Sequence, residues 1–452
     1  MHKTNYKLLD ELDWLYDRIK FFKNNGYEKE KFFKETIEKY YEAFLNWTYI
    51  LIKDNGYKSK YMNKYFEQCK EVFELYKNIS YNSKINLVLK LKWAFFYLKG
   101  FKRVIYKVKN VIEQKIKEKN FKSRYNQYLK NIGRTEKYLI FNAPDHGNIG
   151  DHAILFAEEE FIKDKGHKSF AIVSNEIDLF IKNFSDTVKK DDFILITGGG
   201  NLGTLWEHEQ NNVNKVIEKY SNNKIIVFPQ TVYYSNDYHG KYRLEKDKAI
   251  YKSCSNLTFV CRDSKSFDLM KNVFKINALQ TSDIVTYLNY SKEKNLDRKN
   301  ILFCLRKDKE KVSNEDDIKK IIQYFNEKLP NEKIIFVDTV FPGKFSLNKG
   351  KKYLMKFLNK TKKSKIFVTD RLHGMIFATI TGTPCIAMAN SSGKVKGVHK
   401  WISQNNDFVK FVENFEDFEK QIKEFDFEKN NIYNNEEIRK NFNRIPIGEK
   451  NG

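Results

Sequence analysis

Phe193-Ile194-Leu195-Ile196-Thr197-Gly198-Gly199-Gly200-Asn201-Leu202-Gly203 runs from four large apolar residues straight into glycines. Unbroken apolar residues with no polar alternation suit a strand buried on both faces, as in a parallel sheet covered by helices. The glycines permit a tight turn whose N–H groups can cradle an anion, or simply close helix–strand packing. The run satisfies G-x-G-x-x-G literally, but it follows the third strand of its region. The next strand ends in Phe228-Pro229-Gln230, with no carboxylate for a ribose, so a nicotinamide dinucleotide is a poor fit.

The same pattern repeats outward from this run. Strands are expected at 138–142, 169–173, 193–197, 224–228, 257–260, 301–305, 333–337, 365–369, 384–388 and 408–412. Helices are expected between them, at 153–164, 212–220, 264–274, 316–328 and 353–361. Such alternation predicts parallel sheets with helices on both faces. Ten strands are many for one sheet, and the polar stretch 290–299 reads as a linker. The expectation is an α/β fold of two Rossmann-like, doubly wound lobes, 136–289 and 300–452, the second with a C-terminal helical tail. In such folds ligands bind in loops leaving the carboxyl ends of strands.

Residues 1–135 differ. All six prolines of the 452-residue chain lie after residue 143, and Leu8, Leu9, Leu12, Leu15 and Tyr16 repeat at helical spacing. We read 1–135 as a basic α-helical domain or arm. The chain has 82 Lys and Arg against 58 Asp and Glu, a net +24, which favours anionic partners. Of this, +15 lies in residues 1–135 and +13 in 84–134 alone, where apolar and basic residues alternate. That segment is either a helix packed on the main domain or a basic helix lying on an anionic bilayer. Nucleic acid is the less favoured partner. The N-terminus shows no signal-peptide pattern, no apolar run approaches about 20 residues, and the five cysteines are scattered. Together these point to the cytoplasm, with peripheral docking at the inner face of the plasma membrane.

Five loops after strands carry the chemistry. In 143–152, Asp145 and His146 can face a ligand, Asn148 and Gly150 shape the turn, and Asp151 either caps the next helix or joins the site. In 198–203, Gly199, Gly200 and Asn201 offer backbone donors. Arg262 ends the strand 257–260, where a guanidinium suits a carboxylate or phosphate. In Thr369-Asp370-Arg371-Leu372-His373-Gly374, Arg371 and His373 stand over a helix N-terminus, an anion site by its dipole. His373 can serve as acid, base or phosphate contact, or as a packing residue. The loop 390–397 adds Ser392, Lys394 and Lys396 as a second phosphate contact.

Asn148-Ile149-Gly150-Asp151, Gly198-Gly199-Gly200, Phe228-Pro229-Gln230, Arg262-Asp263-Ser264, Ser282-Asp283 and Arg371-Leu372-His373-Gly374, in this order, resemble the polysaccharide pyruvyl transferase family. The resemblance spans about 137–412. It implies two Rossmann-like lobes in a GT-B-like arrangement. It also implies transfer of the enolpyruvyl unit of phosphoenolpyruvate onto two hydroxyls of a sugar, forming a pyruvate ketal. The acceptor would be a glycan or lipid-linked oligosaccharide of a surface polysaccharide, such as a capsule. No metal and no cofactor beyond the donor substrate is implied. Arg262 and Arg371 would bind the donor anions, His373 would be catalytic, and Asp145 or Asp151 would act as base. The alternative is a GT-B-type glycosyltransferase using a nucleotide sugar.

Overall fold

The computed structural model describes residues 4–27, 29–53, 67–68, 71–72, 114–133, 135–292, 297–306, 314–389, 393–423, 425–427 and 429–448. The chain divides into two units, residues 1–116 and 117–452.

In the first unit, helices Thr4–Asn24 and Lys31–Lys53 are joined by a turn at Gly26, whose φ of 75° suits glycine. Leu12, Leu15, Ile19, Phe33, Ile37 and Tyr40 are buried along the pair. Phe22 packs on Phe32 with ring centroids 4.7 Å apart. Most of the segment expected to dock on a bilayer, 84–113, lies outside the described residues.

The second unit holds two parallel sheets. Its strands are β1 Tyr138–Ala143, β2 His146–Asn148, β3 Ser169–Val173, β4 Phe193–Ile196, β5 Gly199–Gly203, β6 Lys224–Tyr233, β7 Leu257–Cys261 and β8 Asn277–Gln280, then β9 Ile301–Cys304, β10 Ile334–Phe336, β11 Val340–Lys344, β12 Ile366–Thr369, β13 Cys385–Met388 and β14 Val409–Val412. The first sheet runs β3-β1-β4-β6-β7-β8, with β5 paired to β6, and the second runs β10-β9-β12-β13-β14. Each sheet reverses its winding once, between β1 and β4 and between β9 and β12. A crevice at the carboxyl ends is expected at such points. The Gly198–Gly203 and Asp370–Gly374 segments both lie there.

All ten strands expected from the apolar runs begin within one residue of their expected starts. Three features differ. The triple glycine is more than a tight turn: Gly199–Gly203 continues as β5, and the helix expected from 212 starts at Glu207. Gly203, at φ 96°, lies so close to β6 that a Cβ would sit 1.9 Å from the Tyr233 carbonyl oxygen, so the glycines serve backbone pairing. The helix after β1 begins at Ile149, not near Ala153, because Asn148 caps it by accepting from the Gly150 N–H at 3.1 Å. Asp151 is therefore a first-turn residue.

The third difference concerns the boundary at 135. From Lys117 on, the helix over 114–132 belongs to the second unit rather than to a separate arm. Phe121, Tyr125 and Tyr128 are buried against Phe170 and Phe180 of the first lobe. Its six basic residues made it read as a continuation of the arm; its aromatic face decides otherwise.

The lobes share apolar packing between helices Ile149–Asp164 and Leu347–Lys362. They also exchange backbone: β2 pairs antiparallel with β11, and Ile149 N–H donates to the Thr339 carbonyl at 2.9 Å. The tail does not stay on the second lobe. Helix Glu436–Phe442 returns to the first, with Phe442 packed on Phe161 and Tyr287. Among the described residues no helix is long and apolar enough to cross a membrane.

Candidate active site

Asp283 organises the site. It follows β8, is 1% exposed, and caps a short turn by accepting from Val285 N–H at 3.0 Å. Its Oδ2 accepts from Arg262 Nη1 at 2.6 Å and lies 3.7 Å from His373 Nε2. Burial alone would raise its pKa; the adjoining His373 ring and the Arg262 guanidinium outweigh burial and hold the carboxyl below the usual range. One ionised carboxylate thus ties together a cation of the first lobe and the histidine of the second.

Arg262 is 4% exposed. Its Nε donates to Thr231 Oγ1 at 2.9 Å, which fixes the plane of the fork. Its Nη2 faces the glycine loop: a Cβ on Gly200 would lie 2.5 Å from Arg262 Nη2 and 3.2 Å from Lys394 Nζ. Gly200 and Arg262 come from the first lobe, and Lys394 opens helix Lys394–Ile402 of the second. Two cations from opposite lobes therefore meet over one glycine backbone.

Arg371 is the N-cap residue of helix Leu372–Ile380. Its Nη2 lies 3.0 Å from Asp338 Oδ1 and 3.1 Å from Oδ2, and its buried Nε has no hydrogen-bond partner among the described residues. His373, in the first turn, presses its ring on the first lobe: a Cβ on Gly150 would lie 2.2 Å from His373 Nδ1. Its buried Nε2 also lacks a hydrogen-bond partner among the described residues, as do Thr197 Oγ1 and Ser282 Oγ just after β4 and β8 and Gln230 Oε1 within β6. Buried polar atoms left unpaired are costly, so such a group suits a polar ligand.

The structure separates the two aspartates. Asp151 accepts from Asn148 Nδ2 at 2.8 Å and lies 3.6 Å from His146 Nε2, one residue after the glycine that touches His373. Asp145 is tied to the Asn175 side-chain amide. Gly199, at φ 141°, and Asn201, whose Oδ1 accepts from Gln230 Nε2 at 3.4 Å, set the path of β5. Gly374 packs on its own lobe, where a Cβ would lie 2.4 Å from Thr369 Oγ1. Lys396 pairs on the surface with Glu413 at 2.7 Å. Ser392 lies outside the described residues.

Residue-by-residue reading missed the roles of Asp283, Thr231, Asp338 and Glu158. The signal for Asp283 was the polar run Gln280-Thr281-Ser282-Asp283 after a short strand, four residues of which only the first is not buried. Glu158 is wholly buried on an apolar helix and accepts from Gly198 N–H at 2.7 Å. Burial raises its pKa well above the ordinary value. Its carboxyl supports the glycine loop from beneath through that contact.

These features define a two-lobed α/β protein with a cationic cleft at the carboxyl ends of both sheets. The chain belongs to the polysaccharide pyruvyl transferase family, whose profile matches residues 148–392. It is thereby a transferase. It is 34% identical over 293 residues to General stress protein 30 of Bacillus subtilis, covering 63% of this chain and 84% of that protein. It is 27% identical over 295 residues to Pyruvyl transferase 1 of Schizosaccharomyces pombe, covering 62% and 72%. Among solved structures, UDP-GlcNAc 2-epimerase from Neisseria meningitidis bound to UDP-GlcNAc aligns with 69% of this chain and 99% of its own, at 13% identity and TM-score 0.42.

Proposed function

We propose that the protein moves the enolpyruvyl group of phosphoenolpyruvate onto two hydroxyls of a sugar in a surface polysaccharide or its precursor, forming a cyclic pyruvate ketal. The observation that carries this is the meeting of Arg262, Lys394 and the Gly200 backbone, beside the His373–Asp283 pair. The donor has a carboxylate and a phosphate, and a guanidinium fork, an ammonium and Arg371 at a helix N-terminus match both.

The geometry supports the following chemistry. His373 gives a proton to the methylene carbon, which becomes a methyl group and leaves C2 electrophilic. One sugar hydroxyl attacks C2 and loses its proton to a base. Asp151, in the turn that touches His373, suits this better than Asp145, which is engaged with Asn175. The C2–O bond to phosphate then breaks, and the second hydroxyl attacks C2. Its proton leaves with the phosphate. The products are one ketal and one inorganic phosphate. Asp283 carries the negative charge that stabilises the imidazolium before proton transfer. This reading needs no metal and no nucleotide.

The test is phosphate release from phosphoenolpyruvate in the presence of candidate glycans, with mass spectrometry of the glycan. A mass gain of one pyruvate less one water, insensitive to chelator, supports it. Transfer from a nucleotide sugar alone overturns it.

A further inference from the structure

A second cavity, of about 470 Å³, opens in the second lobe at the carboxyl ends of β9 and β10. It adjoins the candidate site through two residues. Asp338 lines it and pairs with Arg371 at 3.0 Å. Arg306 lines it, and its backbone N–H donates at 2.8 Å to Asp370, the neighbour of Arg371. A molecule here would lie beside the donor anchor.

The lining specifies its chemistry. Arg306 and Lys319 are matched by Glu315 and Asp338, so the charges balance. The donor cleft is cationic, and this cavity is not; a neutral polar molecule fits it better than an anion. Phe336 supplies a wall and is 63% exposed, the largest exposure of any phenylalanine among the described residues. The ring is nevertheless fixed, tilted 41° against the buried ring of Phe303 with centroids 5.6 Å apart. Ile318 extends the apolar wall. A fixed flat apolar face ringed by carboxylates and cations matches a pyranose, which has one face of C–H groups and a rim of hydroxyls. The volume is in the range of small-molecule sites, about 300–1,000 Å³.

We infer that this cavity is the acceptor subsite, holding a neutral hexose or N-acetylhexosamine ring against Phe336 with hydroxyls directed to Asp338. The inference rests on the pyruvyl-transfer reading and names where its second substrate sits.

The test uses the full-length enzyme and the variants Phe336→Ala and Phe336→Leu. Phosphate release is followed against a panel of p-nitrophenyl hexosides and N-acetylhexosaminides. Phe336→Ala should raise the acceptor KM by about tenfold or more, the effect expected for losing an aromatic platform. The KM for phosphoenolpyruvate and kcat should stay within about twofold. Phe336→Leu keeps the packing on Phe303 but removes the flat face, so it should show the same split if the alanine variant misfolds. Saturation-transfer NMR should detect the glycosides on the wild type and lose them in both variants. An unchanged acceptor KM in both, or NMR signals from nucleoside diphosphates but not glycosides that disappear with Phe336, overturns the inference. Failure of the wild type to release phosphate from phosphoenolpyruvate, or to bind it by phosphorus NMR, overturns the functional reading instead.

Discussion

His373 and Arg371 stand two residues apart, yet their jobs separate. His373→Ala removes the proposed proton donor while leaving Arg262, Arg371 and Lys394, so phosphoenolpyruvate should still bind while kcat falls by about 10²–10⁴. Arg371→Ala removes a proposed donor anchor and frees Asp338, so kcat/KM should fall by about 10²–10³ with KM for phosphoenolpyruvate rising. Steady-state kinetics with a donor titration distinguish them, and near-wild-type turnover in either variant would place the chemistry elsewhere. Glu158 gives a pH-dependent prediction. Its folded pKa is raised by burial above the ordinary 4.5, so as pH rises past 4.5 the unfolded chain releases a proton that the folded one keeps. Its contribution therefore favours folding least at neutral and alkaline pH. Glu158→Gln keeps an acceptor for Gly198 N–H and removes this penalty. Tm should rise by about 2–4 °C or more at pH 8 and by much less at pH 4.5; equal shifts at both would contradict the upward direction of its pKa. Arg371 and His373 were legible because they end an apolar strand and open an apolar helix. Asp283 and Glu158 were not, because only burial distinguishes them from the many other carboxylates of the chain.

At the scale of elements, strands buried on both faces were the most legible feature, since unbroken apolar runs have few alternatives. The strands missed were β2, β5, β8 and β11. Three of them contain glycine or proline, or are only three residues long, and β2 and β11 exist because the lobes pair with each other. No local pattern encodes a partner that distant in sequence. This cross-lobe ribbon holds Asn148, and through it the start of the helix that presses Gly150 on His373. Gly147 sits inside it, where a Cβ would lie 1.9 Å from the Phe341 carbonyl oxygen. Both colliding groups are backbone, so Gly147→Ala must part the strands. We expect a loss of about 1–3 kcal/mol in stability and a larger loss in kcat, since the turn carrying Asp151 moves with the ribbon. Gly397→Ala, where a Cβ would meet nothing within 4 Å, is the control and should be neutral or slightly stabilising. Thermal unfolding beside turnover measures both; parity of the two variants would deny the ribbon its role.

At the scale of the molecule, the net charge of +24 divides differently once the helix over 114–132 is placed. Residues 114–134 carry seven basic and one acidic side chain, and this helix covers the first sheet. Residues 84–113 carry eight basic and one acidic among apolar residues. Only the latter segment is left to argue for an anionic surface, at about 1 kcal/mol per basic residue near such a surface. The two parts predict opposite results on truncation. Removing 1–113 leaves Phe121, Tyr125 and Tyr128 in place. The protein should then keep its unfolding temperature and its turnover on a soluble glycoside, and should lose most binding to phosphatidylserine vesicles at physiological salt. Removing 1–135 strips three aromatics from the sheet, each worth about 1.5–3 kcal/mol of burial. It also leaves Tyr138 N–H without the Tyr128 hydroxyl that accepts it at 3.0 Å. This shorter chain should aggregate or melt far lower. Vesicle flotation and thermal unfolding decide between the parts. Vesicle binding that survives removal of 1–113 would assign the surface contact to the catalytic unit, whose remaining net charge is still positive.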